Sequence, residues 1–228
     1  MKSRSANRDV PAPTVMPVDR EQWRKQIDRS NFVNAAYQYR DVRGLGAVKR
    51  VLVVGPGQGL DTAILRWAGY DVTTFDIDET FGPDVVGSVH EMTMFDAAAF
   101  DVVTASHVLE HIAVPYLDIA LAELARVARY ATIYLPVHGR RLQLRVKPGF
   151  RDLDLSFVAD VFNYWHKPDG MTPRYAAGQH FWELGMRGFR RRDFLSRLSA
   201  HFDALQHYRN PDWPISYNFV LRSRRHTV

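Results

Sequence analysis

The sequence predicts an α/β fold: a doubly wound, mainly parallel seven-stranded sheet with its last strand antiparallel. Three observations carry that expectation. Short β-branched runs alternate with helical stretches between residues 51 and 135. The first run ends abruptly in a glycine-rich turn, Gly55-Pro-Gly-Gln-Gly59. Two strand-like runs lie close together near the C-terminus, Phe202 to Tyr208 and Ile215 to Leu221, around Asn210-Pro-Asp-Trp-Pro214. Strands separated by a helix's length of chain pair in parallel through crossovers, whereas a short connection suits an antiparallel pair.

Each element follows in order. Glu21 to Arg43 reads as a helix with Phe32, Ala35, Ala36 and Tyr39 near one face, stopped by Gly44 and Gly46. Val51-Leu-Val-Val54 is a buried strand, and Asp61 to Ala68 is the helix after the turn, closed by Gly69. Asp71 to Asp76 is a second strand, Asp84 to Val89 a short third, and Phe100 to Ala105 a fourth. The segment Ser106-His-Val-Leu-Glu-His-Ile112 follows the fourth strand. Tyr116 to Arg129 is helical, with Leu117, Leu121, Leu124 and Val127 on one side, and Tyr130 to Leu135 is the fifth strand. Residues 138–185 show no clean period and are expected to form a substrate-binding or lid insertion. Arg190 to Ala200 returns to helix. Residues 1–20, with Pro11, Pro13 and Pro17 among mixed charges, read as a flexible tail ahead of a single domain over 21–228.

Composition narrows the chemistry. Of the 228 residues 46% are hydrophobic, enough apolar material for a sizeable core. The absence of cysteine excludes disulfides, thiolate nucleophiles and cysteine-ligated metals, and fits a cytoplasmic location. No apolar run approaches the roughly 18 residues needed to cross a bilayer. The net charge of +5 is unevenly spread: residues 51–137 hold three basic and twelve acidic side chains, whereas residues 138–228 hold sixteen and eight. Either the basic flanks cancel the acidic middle, or the last third draws an anionic substrate; a nucleic-acid partner is the less expected alternative.

The glycine turn is the strongest functional feature. Glycines after a strand let backbone amides approach a ligand, and the following helix N-terminus favours negative charge. Dinucleotide sites usually run G-x-G-x-x-G, but here Leu60 holds the last position of that pattern, which argues against NAD or FAD. Asp76 ends the second strand, where a carboxylate can accept hydrogen bonds from ribose hydroxyls. Asp78 and Glu79 are its rivals. Turn, strand and terminal acid in this order point to a nucleoside ligand.

Residues 51–59, Phe75-Asp-Ile-Asp78 and residues 100–112 together resemble successive motifs of the class I methyltransferases that depend on S-adenosylmethionine (SAM), small-molecule types in particular. The resemblance covers roughly residues 45–137. It implies a Rossmann-like methyltransferase fold with SAM as cofactor and S-adenosylhomocysteine as product. By position Gly55, Gly57 and Gly59 would hold the methionine portion, Asp76 the ribose, and Ser88 and Val89 the adenine, with Ile77 a further cofactor-binding residue. Ser106 and His107 would lie under the sulfonium end. Val53 stands where the family commonly has an acid, and Asp61 is the candidate to replace its contact with the SAM amino group. Tyr37 and Tyr39 are candidates to cover SAM from the helix before the first strand.

Methyl transfer needs alignment and sometimes removal of a proton. His180, in an aromatic-rich stretch, and His138, just after the fifth strand, are the expected catalytic bases. His107-Val-Leu-Glu110-His111 matches an inverted zinc-protease pattern, but that pattern needs a long helix and here follows a strand, so no metal is expected. Glu110 and His111 are expected instead to hydrogen-bond locally and brace the loop. Arg190, Arg191 and Arg192 read as a solvated face. The expected acceptor is a small molecule such as a secondary metabolite or a sugar-containing precursor, aromatic or anionic, methylated on oxygen or nitrogen. Trp165, Phe181 and Trp182 would wall its pocket. RNA methylation and SAM binding without turnover are the alternatives; no membrane partner is expected, and a homodimer is allowed.

Overall fold

The computed structural model describes residues 25–146, 155–161, 166–176 and 179–226. The expected N-terminal tail and Trp165 lie outside them. In chain order the elements are α1 (Arg29–Gly44), β1 (Arg50–Val54), α2 (Leu60–Trp67), β2 (Asp71–Asp76), β3 (Val85–Val86), β4 (Phe100–Ser106), α3 (Val114–Val127), β5 (Ala128–Pro136), β6 (Arg140–Val146), β7 (Leu155–Val161), α4 (Arg191–Leu198), β8 (Phe202–Arg209) and β9 (Ser216–Ser223).

Seven strands form one sheet in the order β3-β2-β1-β4-β5-β9-β8. β1 pairs in parallel with both β2 and β4, and β4 with β5, while β9 runs antiparallel to β5 and to β8. This is the doubly wound sheet the sequence predicts. Strand alternation divides the core between its two faces. From β1, Leu52 and Val54 join the larger cluster with Leu117, Leu121, Leu124 and Phe219. Val51 and Val53 face the other way, into a smaller cluster with Val42, Leu65, Val72 and Val102.

Several boundaries differ from the sequence reading. α3 ends at Val127 and β5 starts at the next residue, so the expected helical tail to Arg129 is strand. The third strand shrinks to Val85 and Val86. Within 138–185, β6 and β7 form a separate two-stranded antiparallel sheet, for which the sequence reading had no element. Phe181 and Trp182 are core residues rather than pocket walls: Trp182 is fully buried and stacks on Phe189 with ring centres 4.7 Å apart.

Helix α1 also presents a different face. Phe32 and Ala36 are exposed, and the buried positions are Ala35, Gln38, Asp41 and Val42. Asp28 caps its start, accepting from the backbone N–H groups of Ser30 at 2.8 Å and Asn31 at 3.2 Å. The reason for a polar inner face is the company it meets. The hydroxyls of Tyr134 on β5 and Tyr208 on β8 both donate to the Asp41 carboxylate.

Candidate active site

The glycine turn closes β1 and opens α2. Gly55, Gly57 and Gly59 all have positive φ, at 66°, 51° and 79°. Space is restricted at Gly55, where a Cβ would stand 2.5 Å from Cγ2 of Val108. Val108 belongs to the loop after β4, so the two strand ends are packed loop against turn. Val53 is buried in the apolar cluster beneath. Asp61, in the first turn of α2, is buried and accepts from the Thr62 backbone N–H at 2.7 Å. Burial pushes its carboxyl up to about 6, against hydrogen bonds from Thr62 and the Gln38 side chain.

At the neighbouring strand end, Oδ1 of Asp76 accepts from the Asp78 backbone N–H at 2.9 Å. Asp78 is buried and caps the short turn after β2, accepting from Thr80, whereas Glu79 is exposed. Of the three rival acids, Asp76 is the one on the strand itself. Ile77 is partly buried beside it. The Ser88 hydroxyl lies 2.7 Å from Nδ1 of His90, whose ring stacks on Tyr116. Val89 is buried in the larger cluster.

Ser106 ends β4, and its hydroxyl receives a hydrogen bond from Nδ2 of Asn34 at 2.9 Å. That contact lays α1 across the strand end, and Asn34 carried no signal in the sequence. His107 follows with a φ of 55°, a left-handed conformation sparsely used by residues with a Cβ. Its Nε2 lies 3.2 Å from the Ser216 hydroxyl and its ring packs against Trp213. Ser216 donates to Asn218 Oδ1 at 2.8 Å, and Asn218 Nδ2 donates to the Tyr208 hydroxyl at 3.0 Å. A polar chain thus runs from the β4 loop to Asp41.

Tyr37 and Tyr39 separate. The Tyr37 hydroxyl donates to Asp212 at 2.7 Å on the β8–β9 connection. Tyr39 packs against the smaller apolar cluster on the far face, which corrects its expected role as a cover for the cleft.

The two expected bases meet through a residue the sequence reading passed over. Glu183 is buried between them, one oxygen 2.7 Å from Nδ1 of His138 and the other 2.7 Å from Nδ1 of His180. Burial alone would raise the Glu183 carboxyl, but the two histidines hold it down at about 2. Nε2 of His138 lies 3.3 Å from Nδ1 of the exposed His166. Nε2 of His180 turns elsewhere, 4.0 Å from Oε1 of Glu110. The spacing His180-x-x-Glu183 was the available signal for this pairing.

Glu110 and His111 do not brace their own loop as expected. His111 Nδ1 bonds the Gln179 carbonyl at 3.1 Å, across a long sequence gap. Burial of the His111 ring lowers its affinity for a proton. Glu110 is fully buried, and the structure gives neither carboxylate oxygen a hydrogen-bond partner. Burial pushes the Glu110 carboxyl up, yet His107, His111 and His180 around it hold it below its ordinary value.

Residues 52–134 match a family model described as a methyltransferase domain. That segment runs from β1 into β5. Those residues carry a methyltransferase domain, and the solved structures similar to the chain include SAM-dependent methyltransferases. Solved structures similar to this chain include NodS, an N-methyltransferase from Bradyrhizobium japonicum crystallised with S-adenosylhomocysteine. That likeness has a TM-score of 0.56 at 11% identity, over 91% of this chain and 94% of NodS. The 1,6-didemethyltoxoflavin-N1-methyltransferase of Burkholderia thailandensis, solved with bound 1,6-didemethyltoxoflavin and S-adenosylhomocysteine, aligns with a TM-score of 0.51 at 20% identity, over 93% of this chain and 94% of that one. A Pyrococcus horikoshii protein, PH0226, aligns with a TM-score of 0.54 at 14% identity, over 86% and 91% of the two chains. No curated protein matches the sequence. Among the described residues no helix is long and apolar enough to cross a membrane.

Proposed function

We propose that this methyltransferase binds SAM over the glycine turn and moves the methyl group to an oxygen or nitrogen of a small molecule. The observation that carries the reading is where the site residues converge. The order β2-β1-β4 reverses the chain's progress between β1 and β4. Ligands of open α/β sheets bind at the carboxyl ends of strands at such a switch point. Gly55 follows β1, Asp76 ends β2, and Ser106 ends β4. The left-handed turn at Gly55, Gly57 and Gly59 fits a ligand held by backbone amides. S-adenosylhomocysteine in NodS and in the Burkholderia enzyme supports the same cofactor here.

Bound in this place, SAM supplies an electrophilic methyl group and leaves as S-adenosylhomocysteine. The rest falls to the chain. Asp76 would accept from the ribose hydroxyls, and Asp61, once ionised, would meet the ammonium of the methionine portion. Asn34 and Ser106 fix α1 at the end of β4, where the sulfonium would lie. His138 takes the proton that the acceptor loses: Glu183 holds its Nδ1–H and orients the ring, and Nε2, 3.3 Å from Nδ1 of the exposed His166, receives the proton once the acceptor displaces that ring. His180 shares Glu183 but directs Nε2 at Glu110, so the base assignment goes to His138. Residues 138–185 bear the acceptor, and their arginines suit an anionic one.

The test is calorimetry with SAM, S-adenosylhomocysteine and NAD, followed by transfer from labelled SAM to a panel of phenols, amines and sugar derivatives. Both SAM-family ligands should bind and NAD should not. His138→Gln should slow transfer by about 10²- to 10⁴-fold while leaving SAM affinity in place. Failure of wild-type protein to bind SAM would sink the proposal; an undiminished rate in His138→Gln would remove that residue from the mechanism.

A further inference from the structure

The ligand atoms of Glu110, His111 and His180 lie within 4.8 Å of one another. They come from two distant parts of the chain, brought together by the Phe181 N–H donating to the Glu110 carbonyl at 2.9 Å. We propose that these three side chains hold one divalent transition-metal ion, with Zn²⁺ the foremost candidate.

The first argument is the unanswered carboxylate. Glu110 is fully buried without a hydrogen bond to either oxygen, and its nearest polar neighbours stand beyond hydrogen-bond reach. His107 Nδ1 is at 3.6 Å and His180 Nε2 at 4.0 Å. Buried charges are ordinarily paired, hydrogen-bonded or metal-bound.

The second argument is that both histidines are already set as ligands. A metal-bound imidazole coordinates through one nitrogen while the other donates to a carbonyl or carboxylate. His111 makes that contact to the Gln179 carbonyl through Nδ1, and His180 makes it to Glu183 through Nδ1. Each ring therefore keeps the Nε2 lone pair for a cation. The rings stand edge to face at 82°, with centres 4.8 Å apart.

The donor set selects the ion. Two imidazoles and one carboxylate suit Zn²⁺ and its transition-metal neighbours, whereas Mg²⁺ and Ca²⁺ demand oxygen ligands. Bonds of about 2.1 Å put tetrahedral ligands about 3.4 Å apart, so the three groups close inward on binding. Three protein ligands leave a fourth position for water or a substrate oxygen. The H-x-x-E-H pattern misleads in one respect. Leu109–His111 is a single 3₁₀ turn, and His107 directs Nε2 to Ser216. The second histidine comes from residue 180 instead.

The experiment uses full-length protein without a histidine tag, stripped with chelator and titrated with ZnCl₂ and MgCl₂ by calorimetry. One Zn²⁺ per chain should bind, Mg²⁺ should give no heat, and Zn²⁺ should raise the melting temperature. Co²⁺ should give the intense visible bands of a four- or five-coordinate site in wild-type protein, a readout that needs no variant. His111→Ala and His180→Ala, checked for folding by circular dichroism, should each weaken Zn²⁺ binding at least about tenfold. Absence of Zn²⁺ binding and of the Co²⁺ bands would overturn the proposal in favour of a metal-free, proton-sharing cluster. So would Zn²⁺ binding that both variants retain, since the ion would then lie elsewhere.

Discussion

Asn34 on α1 and Ser106 at the end of β4 share a hydrogen bond of 2.9 Å, although 72 residues separate them in sequence. The contact makes the position of α1 a property of the site. Asn34→Ala should cost the fold only about 1 kcal/mol, the ordinary net worth of one such bond. Its larger effect is expected on SAM, whose affinity should fall roughly tenfold as the helix loosens, which is about 1.4 kcal/mol. Thermal melting and calorimetry on the same preparation separate the two effects. Equal SAM affinity in variant and wild type would show that α1 does not cover the cofactor.

Asp76→Ala should weaken SAM binding by about 1.5–3 kcal/mol, the range for losing a charge-assisted hydrogen-bond partner. Asp78→Ala should act on stability instead, because Asp78 caps the turn after β2. If the two variants exchanged these effects in parallel titrations and melts, the ribose assignment would belong to Asp78.

Gly55→Ala meets two penalties, the positive φ and the Val108 methyl group 2.5 Å from the new Cβ. Left-handed backbone costs roughly 1–2 kcal/mol for residues with a Cβ. Crowding adds about 1–3 kcal/mol. Val108→Ala in the same chain should recover the second part and not the first. A double variant no more stable to urea than Gly55→Ala would mean that Val108 moves aside freely.

Asp61 gives a pH dependence of definite sign. Its carboxyl is raised from 3.8 to about 6 by burial. A raised value means the native state binds the proton more tightly than the unfolded chain. The group's contribution is thus fully present below pH 3.8 and is lost as pH climbs through 6. Asp61→Asn should therefore stabilise the ligand-free protein at pH 8 relative to wild type, by at most about 3 kcal/mol, and have little effect near pH 4. SAM affinity should show the opposite preference in the wild type, rising from pH 5 to 7 as Asp61 ionises to meet the ammonium. A flat affinity profile would remove Asp61 from the methionine site.

The parts of this protein that were legible in the sequence are those where local chemistry and burial agree. Val51 to Val54 is buried on both sheet faces and reads as an uninterrupted apolar run. The glycine turn announces itself because the left-handed backbone excludes most side chains. The α3–β5 boundary was missed because the transition from Val127 to Ala128 carries no breaker, and parallel pairing with β4 overrides helical propensity there. β6 was missed although Arg141-Leu-Gln-Leu144 alternates. Leu142 and Leu144 are 64% and 60% exposed, so no buried face distinguishes the strand. Trp182 and Phe181 were misplaced because an aromatic run looks alike in a pocket and in a core. Asn34 and Glu183 could not be assigned from spacing alone, since each gains its meaning from a partner supplied by another element.

The polar chain from His107 to Asp41 has one further consequence. The Asp41 carboxylate accepts from both phenols, and Tyr208 in turn accepts from Asn218, which accepts from Ser216. Each bond orients the next, so Ser216 is left to accept from His107 Nε2. With Asp41 ionised as a pure acceptor, the hydrogens along this line all point one way, toward the carboxylate. Exchanging Asp41 for an amide would offer a donor at the far end and allow the sequence of hydrogens to run backward. The identity of one atom on helix α1 thereby selects which nitrogen of a distant imidazole carries a proton.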